Sequence, residues 1–483
     1  MPPIKRVAVI GAGPSGAIAV DALVQEKAFD VVRVFERQER AGGNWVSRPQ
    51  HLDKAAPLDI PALSSRSADK PVKIPETLPC TTPILSPPVH RYTDSHVYPG
   101  LHTNVEASVM EYSGADEKIP ETRSEWSLGL HGPDTPFRHH RVVCQYIEDL
   151  LNRNGYQDLV QYETTVELAV KDPKSGAWVL TLRRADAGGL DHWWTETFDA
   201  LVVASGHYHV PYVPDIPGLK DFADRYPGCV EHVKQYRGPG KYAGKKVITI
   251  GASVSAADTA VSLINTASKP IYAVVRGKYN IYFGDTAFQH PAIERRAQIS
   301  HIDSSNGART VYFEDGSSVS DVDHLIFGTG FTWTLPFLPE IPIRNNRVPD
   351  LYLHVFHRGD PSLVFLGAVG AGLTFKVFEW QAVAAARVLA GKSHLPPLET
   401  QQKWEAERIA VKGDGAGFLM VYPDFEVYFE QLRSLAGEPG EGEPGRRLPP
   451  FEPRWPNEFQ RGHDRRIRMW ERANKAARGE DSA

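Results

Sequence analysis

Residues Lys5–Gln25 read KRVAVIGAGPSGAIAVDALVQ. A short apolar run, a glycine turn and a longer apolar stretch predict a buried strand, a tight turn and a helix. Gly11, Gly13 and Gly16 form G-x-G-x-x-G between strand and helix, with Pro14 and Ser15 opening the helix. In such a unit the first glycine permits the turn, the second lets backbone approach a pyrophosphate, and the third lets helix and strand pack closely. The free amides at the helix start then face the phosphates. A second strand, Val31–Phe35, ends at Glu36 and Arg37, and Glu36 lies 25 residues beyond Gly11. A carboxylate there accepts hydrogen bonds from ribose hydroxyls.

The pattern returns 240 residues later as KKVITIGASVSAADTAVSLI, from Lys245. Gly251 keeps the turn, but Ser253 replaces the middle glycine and Ala256 the last, with Ser255 between them. The residue 25 positions beyond Gly251 is Arg276. A carboxylate at this place would repel a 2′-phosphate, whereas an arginine pairs with it. The first unit therefore suits a dinucleotide with free ribose hydroxyls, and the second suits NADPH. The bland alternatives are that Ser253 and Ser255 cap a helix and that Arg276 is a surface cation at a strand end.

Around these units the chain predicts an α/β fold: two Rossmann-like dinucleotide-binding domains, the second (NADP) domain inserted in the first, with a β-meander. The expected boundaries are 1–210 for the first part of the outer domain, 211–324 for the NADP domain, and 325–483 for the outer domain's second part and the C-terminal tail. The meander is expected from Val166–Val170, Trp178–Arg183, Thr195–Phe198 and Leu201–Ala204. Arg48 to Pro99, rich in Pro, Ser and His, reads as a surface loop. Helices are predicted at about Arg141–Asn152 and Phe375–Leu389, and a strand pair around Asp323–Phe331 and Ser362–Gly367. Gly437–Pro456 reads as irregular, and Asp464–Ala483 as a charged surface helix that frays.

The chain has 483 residues, enough for two or three domains. A net charge of −5 provides no basic footprint, which argues against nucleic acid as a partner and against a polybasic membrane patch. No run of 18 apolar residues predicts a membrane span. Cys80, Cys144 and Cys229 are far apart with no C-x-x-C, which argues against disulfides, a metal site and a redox dithiol, and for a cytoplasmic setting. A homodimer is compatible with this composition.

Further motifs stand at consistent distances from the two units. YPGCVEHVKQY (Tyr226–Tyr236) precedes the second unit; GGNW contains Gly43, Asn44 and Trp45; LHTN contains Thr103 and Asn104. VVASGHYHVPYVP contains Tyr208, and FGTGF (Phe327–Phe331) contains Gly330. Together they resemble the flavin-containing monooxygenase family, class B flavoprotein monooxygenases, from Val7 to about Gly391. The family's identifying motif is F-x-G-x-x-x-H-x-x-x-[YF], matched by Gly228, His232 and Tyr236, with Tyr226 at the usual phenylalanine. Related Baeyer–Villiger enzymes carry Trp at the last position, followed by Pro or Asp. Tyr236-Arg237 favours the branch that oxygenates nitrogen and sulfur.

The resemblance implies an FAD- and NADPH-dependent enzyme that forms a C4a-hydroperoxyflavin. One oxygen atom of O2 then passes to a nitrogen or sulfur nucleophile of a small organic substrate. It implies that Asn104 acts at the flavin–oxygen adduct, that Trp45 and Thr103 lie near the flavin, and that Val166, Tyr208 and Gly330 lie near the cofactors. Trp45 reads equally as core, Asn104 as a turn residue, and His232 as a structural hydrogen-bonding group. The acidic stretch from Asn104 to Phe137 reads as an unusual pocket wall or as an exposed insertion. Phe375, Phe378 and Trp380 read as a flavin-side cluster or as core. Two other functions compete: ketone oxidation of the Baeyer–Villiger type, and a non-catalytic NADPH-binding flavoprotein.

Overall fold

The computed structural model describes residues 3–47, 57–84, 92–114, 118–186, 188–370 and 372–480. Two parallel sheets organise it, as the two glycine units predict. The first contains seven strands, and Arg6–Ile10 sits between Val31–Phe35 and Ala200–Val203. Leu363–Phe365 extends the parallel set on one side and Val160–Gln161 on the other. The second sheet is wholly parallel, with Val247–Ile250 between Ile271–Val274 and His324–Phe327. Val230–His232 and Ile293–Arg296 form its edges.

Central strands such as Ala200–Val203, Val247–Ile250 and His324–Phe327 are buried along their whole length. Runs without polar alternation are what a parallel sheet covered on both faces requires. Pro14–Gln25 packs on the first sheet and against Thr374–Leu389. In both sheets the glycine turn lies at the carboxyl end of a central strand flanked by one early and one late strand. That is the switch point at which open α/β sheets bind ligands.

The second sheet takes its strands from residues 230–327, and the first takes its strands from both sides of that stretch. The NADP unit is thus inserted in the FAD unit. The boundary expected at 324 falls inside the strand His324–Phe327, which belongs to the second sheet. The strands predicted as a pair near 323–331 and 362–367 lie in different sheets, because each aligns beside the central strand of its own unit.

The meander is present with different membership. Thr164–Lys171, Trp178–Ala185 and Leu190–Phe198 pair antiparallel, and Cys80–Pro83 adds the outer strand. The fourth strand expected at Leu201–Ala204 is instead Ala200–Val203, a parallel strand of the first sheet. Its ALVV run lacks the polar alternation of a half-exposed strand. Cys80–Pro83 and the helix Ile60–Ser64 also interrupt the loop expected from Arg48 to Pro99, part of which lies outside the described residues.

The stretch after Asn104 is neither a bare insertion nor mainly a pocket wall. Val109, Tyr112, Ile119 and Phe137 are buried, and the Tyr112 hydroxyl donates to the Pro14 carbonyl at 2.7 Å. The irregular segment after Gly437 is pinned by Arg446, which donates to Asp21 at 2.5 Å and through Nε to Glu379 at 2.8 Å.

The largest departure is the C-terminus. Arg454–Arg478 is one helix of 25 residues, not a fraying surface element. Trp455, Phe459, His463, Arg466, Trp470 and Asn474 form a buried stripe at helical spacing. The charged residues between them fill the exposed face, so composition alone hides the buried side.

Candidate functional site

The glycine turns of both units open onto one cavity of about 1570 Å³. In the first unit, Gly11, Gly13, Pro14 and Ser15 line it. Gly16 does not, because its role is packing: a Cβ there would lie 1.9 Å from the Gly11 carbonyl oxygen. Gly13 caps the helix without any side-chain cap, so the first-turn amides remain available to an anion. Glu36 is buried beside the turn. Its carboxylate accepts from the Ala12 amide at 2.7 Å and the Gln38 amide at 2.8 Å, which fixes it at the strand end. This cradle has the shape and donor set that a dinucleotide needs.

The turn containing Gly43, Asn44 and Trp45 is tied to the glycine loop by the Gly42 amide, which donates to the Ala12 carbonyl at 3.0 Å. All three residues line the cavity, as does Arg37. Trp45 is half-buried: it lines the cavity and also packs against the first core. Val166 lines the cavity where the meander bulges between Val166 and Leu168.

Leu101–Asn104 is zipped to residues 138–140. The Thr103 amide donates to the Arg138 carbonyl at 2.8 Å, and Thr103 Oγ1 accepts from the Arg138 amide at 3.1 Å. Thr103 is therefore buried and does not line the cavity, a correction to its expected place near the flavin. Alternation along an extended segment turns one neighbour in and the next out. Asn104 lines the cavity, and its side chain makes no hydrogen bond to any described residue.

In the second unit Gly251, Ser253, Ser255 and Arg276 line the same cavity. Ser253 occupies the N-cap position of Val254–Leu263 without making a capping bond, and its hydroxyl accepts from Asn280 Nδ2 at 3.2 Å. The helix-cap alternative thus describes its position but not its bond. Arg276 is exposed at the strand end and forms no ion pair among the described residues. Ala256 is accommodated because its neighbour just past the strand His324–Phe327 is a glycine: a Cβ on Gly328 would lie 2.7 Å from the Ala256 Cβ.

His232 is fully buried, and its Nδ1 accepts from the Lys234 amide at 3.2 Å. Burial, chiefly, pulls its pKa down to about 3, so the ring is neutral at neutral pH. With Tyr236 Oη 2.6 Å from Ser262 Oγ, the Tyr226–Tyr236 motif acts as a joint at the edge of the second sheet. Tyr208 and Gly330 line the cavity beside that joint.

Phe375 and Phe378 line the cavity, whereas Trp380 is core. Sequence reasoning missed Asn280, Tyr282, Phe459 and His463, all of which line it. His463 stacks on Tyr282 with centroids 4.9 Å apart, and burial, chiefly, lowers its pKa to about 4. The only available signal was the spacing of Trp455, Phe459, His463, Arg466 and Trp470.

A family model described as flavin-binding monooxygenase-like matches residues 124–283 and 292–432, and an NAD(P)-binding Rossmann-like model matches residues 9–72. A flavin-containing monooxygenase of Aspergillus flavus, ustF2, is 28% identical, covering 94% of this chain and 96% of its own. FMO GS-OX2 of Arabidopsis thaliana is 28% identical over 84% of this chain and 80% of its own. Among solved structures, S-allyl-L-cysteine S-oxygenase of Allium sativum superposes with a TM-score of 0.71 at 24% identity, covering 98% of each chain. Cyclohexanone monooxygenase superposes less closely, with a TM-score of 0.56 at 14% identity over 90% of this chain and 98% of its own.

Proposed function

The chain belongs to the flavin-binding monooxygenase-like family and is an FAD-dependent monooxygenase that uses NADPH; from that premise we propose that it oxygenates a nitrogen or sulfur nucleophile of a small organic substrate. The observation that carries this reading is a single cavity onto which both glycine turns, Asn104 and an apolar wall open. When bound, the flavin supplies the redox chemistry: reduced by NADPH, it activates O2 so that one oxygen atom goes to the nucleophile and the other leaves as water.

This chain's residues bind, orient and exclude water. The amides of Gly13 and Ser15 would hold the FAD pyrophosphate and the Glu36 carboxylate its ribose, with Gly43, Asn44, Trp45 and Arg37 lining the same end of the cavity. Val166 and Tyr208 flank the cofactor's path. Ser253, Ser255 and the exposed Arg276 hold NADPH, the arginine on its 2′-phosphate. Asn104 is the catalytic residue: its amide, free of partners among the described residues, would orient the cofactors at the reacting centre. Phe375, Phe378 and Phe459 form the apolar wall that keeps bulk water out. Three free cysteines support a reducing, cytoplasmic setting.

Tyr236 followed by Arg237, rather than Trp followed by Pro or Asp, favours nitrogen and sulfur over ketones. The test is product mass and NADPH consumption with a thioether, a tertiary amine and a cyclic ketone. Sulfoxide or N-oxide with little lactone is the expected result; lactone as the main product overturns it. Asn104→Ala is expected to retain FAD while releasing most of its reducing equivalents as H2O2. Full coupling in that variant removes Asn104 from the chemistry.

A further inference from the structure

Among the described residues, two of the crossings between the two nucleotide units lie side by side. Val210–Pro211, on the way out, pairs antiparallel with Phe331–Thr332, on the way back. Residues 92–98 brace this same place: Lys234 Nζ donates to the Tyr92 carbonyl at 2.7 Å and Arg237 to the Ser95 carbonyl at 2.6 Å. Adjacent crossings make a hinge, and units joined by a hinge move relative to one another unless another contact fixes the angle.

The C-terminal helix supplies such a contact. Its first half docks on the FAD unit. Arg461 Nε donates to Glu106 Oε1 at 2.8 Å, and Ser108 donates to Glu458 at 2.9 Å. A Cβ at Gly462 would lie 3.1 Å from the Glu106 amide nitrogen, two residues beyond Asn104. Its second half docks on the NADP unit. Arg466 pairs with Asp258 on the helix that starts at the second glycine turn. Trp470 packs edge-on to Phe283 at 5.1 Å, and Asn474 donates to the Thr286 carbonyl at 3.0 Å. Where the halves meet, Phe459 and His463 close the cavity against Tyr282.

We propose that Arg454–Arg478 is a strap that holds the NADP unit at its working angle to the FAD unit, and that Arg466 and Asp258 are positioning residues for hydride transfer. Arg466 does not line the cavity, and Asp258 borders it one turn into the helix Val254–Leu263. They act by fixing the helix Val254–Leu263, whose amino end carries the nucleotide, at a set distance from Asn104 and the flavin side. Hydride transfer is steep in distance, so a tilt of about 1 Å is costly without any loss of nucleotide contacts. The inference uses only the two cofactors of the family and holds whichever nucleophile is oxygenated.

The test uses the full-length holoenzyme and the variants Arg466→Gln, Asp258→Asn, their double, and Trp470→Leu. Anaerobic stopped-flow reduction by NADPH separates the limiting rate from Kd. Each single variant is expected to lower the limiting rate at least about tenfold while Kd for NADPH stays within about twofold. The double variant should fall no further than either single one, because both remove one contact. Hydrogen exchange without NADPH should quicken in residues 463–478 while the strands of both sheets stay protected. An unchanged limiting rate overturns the strap. So does a raised Kd at unchanged rate, which would place the pair in the nucleotide site. Loss of FAD or of sheet protection in all four variants would also overturn it, as the mark of a merely structural helix.

Discussion

The two glycine units solve one packing problem in different ways. In the first, helix and strand approach so closely that the third position of the fingerprint must itself be glycine: a Cβ at Gly16 would sit 1.9 Å from a backbone oxygen. In the second, the helix carries Ala256, and the space comes from Gly328 at the end of the neighbouring strand, 2.7 Å away had it a Cβ. The room is made at corresponding places, but the glycine that provides it sits on the helix in one unit and just past a neighbouring strand in the other. The units differ in electrostatics as well. Glu36 is buried and held by two backbone amides, whereas Arg276 is exposed and has no ion pair among the described residues. On the proposed reading, one site is preorganised and the other gains its partner on binding.

The contrast can be broken most sharply at Gly16. Gly16→Val forces a side chain into a backbone oxygen, at a cost of at least about 3 kcal/mol. The expected outcome is a protein without bound FAD, read from its visible absorbance; retained flavin would mean that the tight approach is dispensable. Next in size is Glu36→Ala, which removes an acceptor from two amides as well as from the ribose. FAD affinity should fall about a hundredfold, measured by reconstituting apoprotein.

The migrated glycine offers a finer test. Gly328→Ala should destabilise the protein by about 1–3 kcal/mol in denaturant unfolding, and adding Ala256→Gly should restore most of that loss. Additive losses would show that the two residues do not share one space. The smallest effect belongs to the exposed cation. Arg276→Ala should reduce the preference for NADPH over NADH about tenfold, mainly by raising KM for NADPH. Unchanged discrimination would return Arg276 to the role of a surface charge.

Much of the site was legible because its chemistry is local. A strand, a turn and a helix start lie within a dozen residues, and the residue at the end of the next strand is set by the length of one βαβ unit. Gly11, Glu36, Gly251 and Arg276 follow from that periodicity, and all four line the cavity. Thr103 was misplaced because a one-residue alternation decides which neighbour in LHTN faces the cavity, and that alternation is set by pairing with residues 138–140. Ala200–Val203 was misassigned for a related reason: a strand that follows a meander closely in sequence can belong to another sheet, and only its partner, Arg6–Ile10, decides.

By itself the sequence determined the two nucleotide units and the inequality between them, since each depends on residues a fixed short distance apart. The tertiary structure alone decided that Gly328 makes room for Ala256, that two adjacent crossings form one hinge, and that a helix from the far end of the chain spans both units. These contacts join residues separated by tens to hundreds of positions. Their energy comes from buried surface and ion pairs between distant elements, which no local periodicity encodes. The charged C-terminal helix shows this most plainly: its composition describes the face turned to solvent, and its function follows from the other.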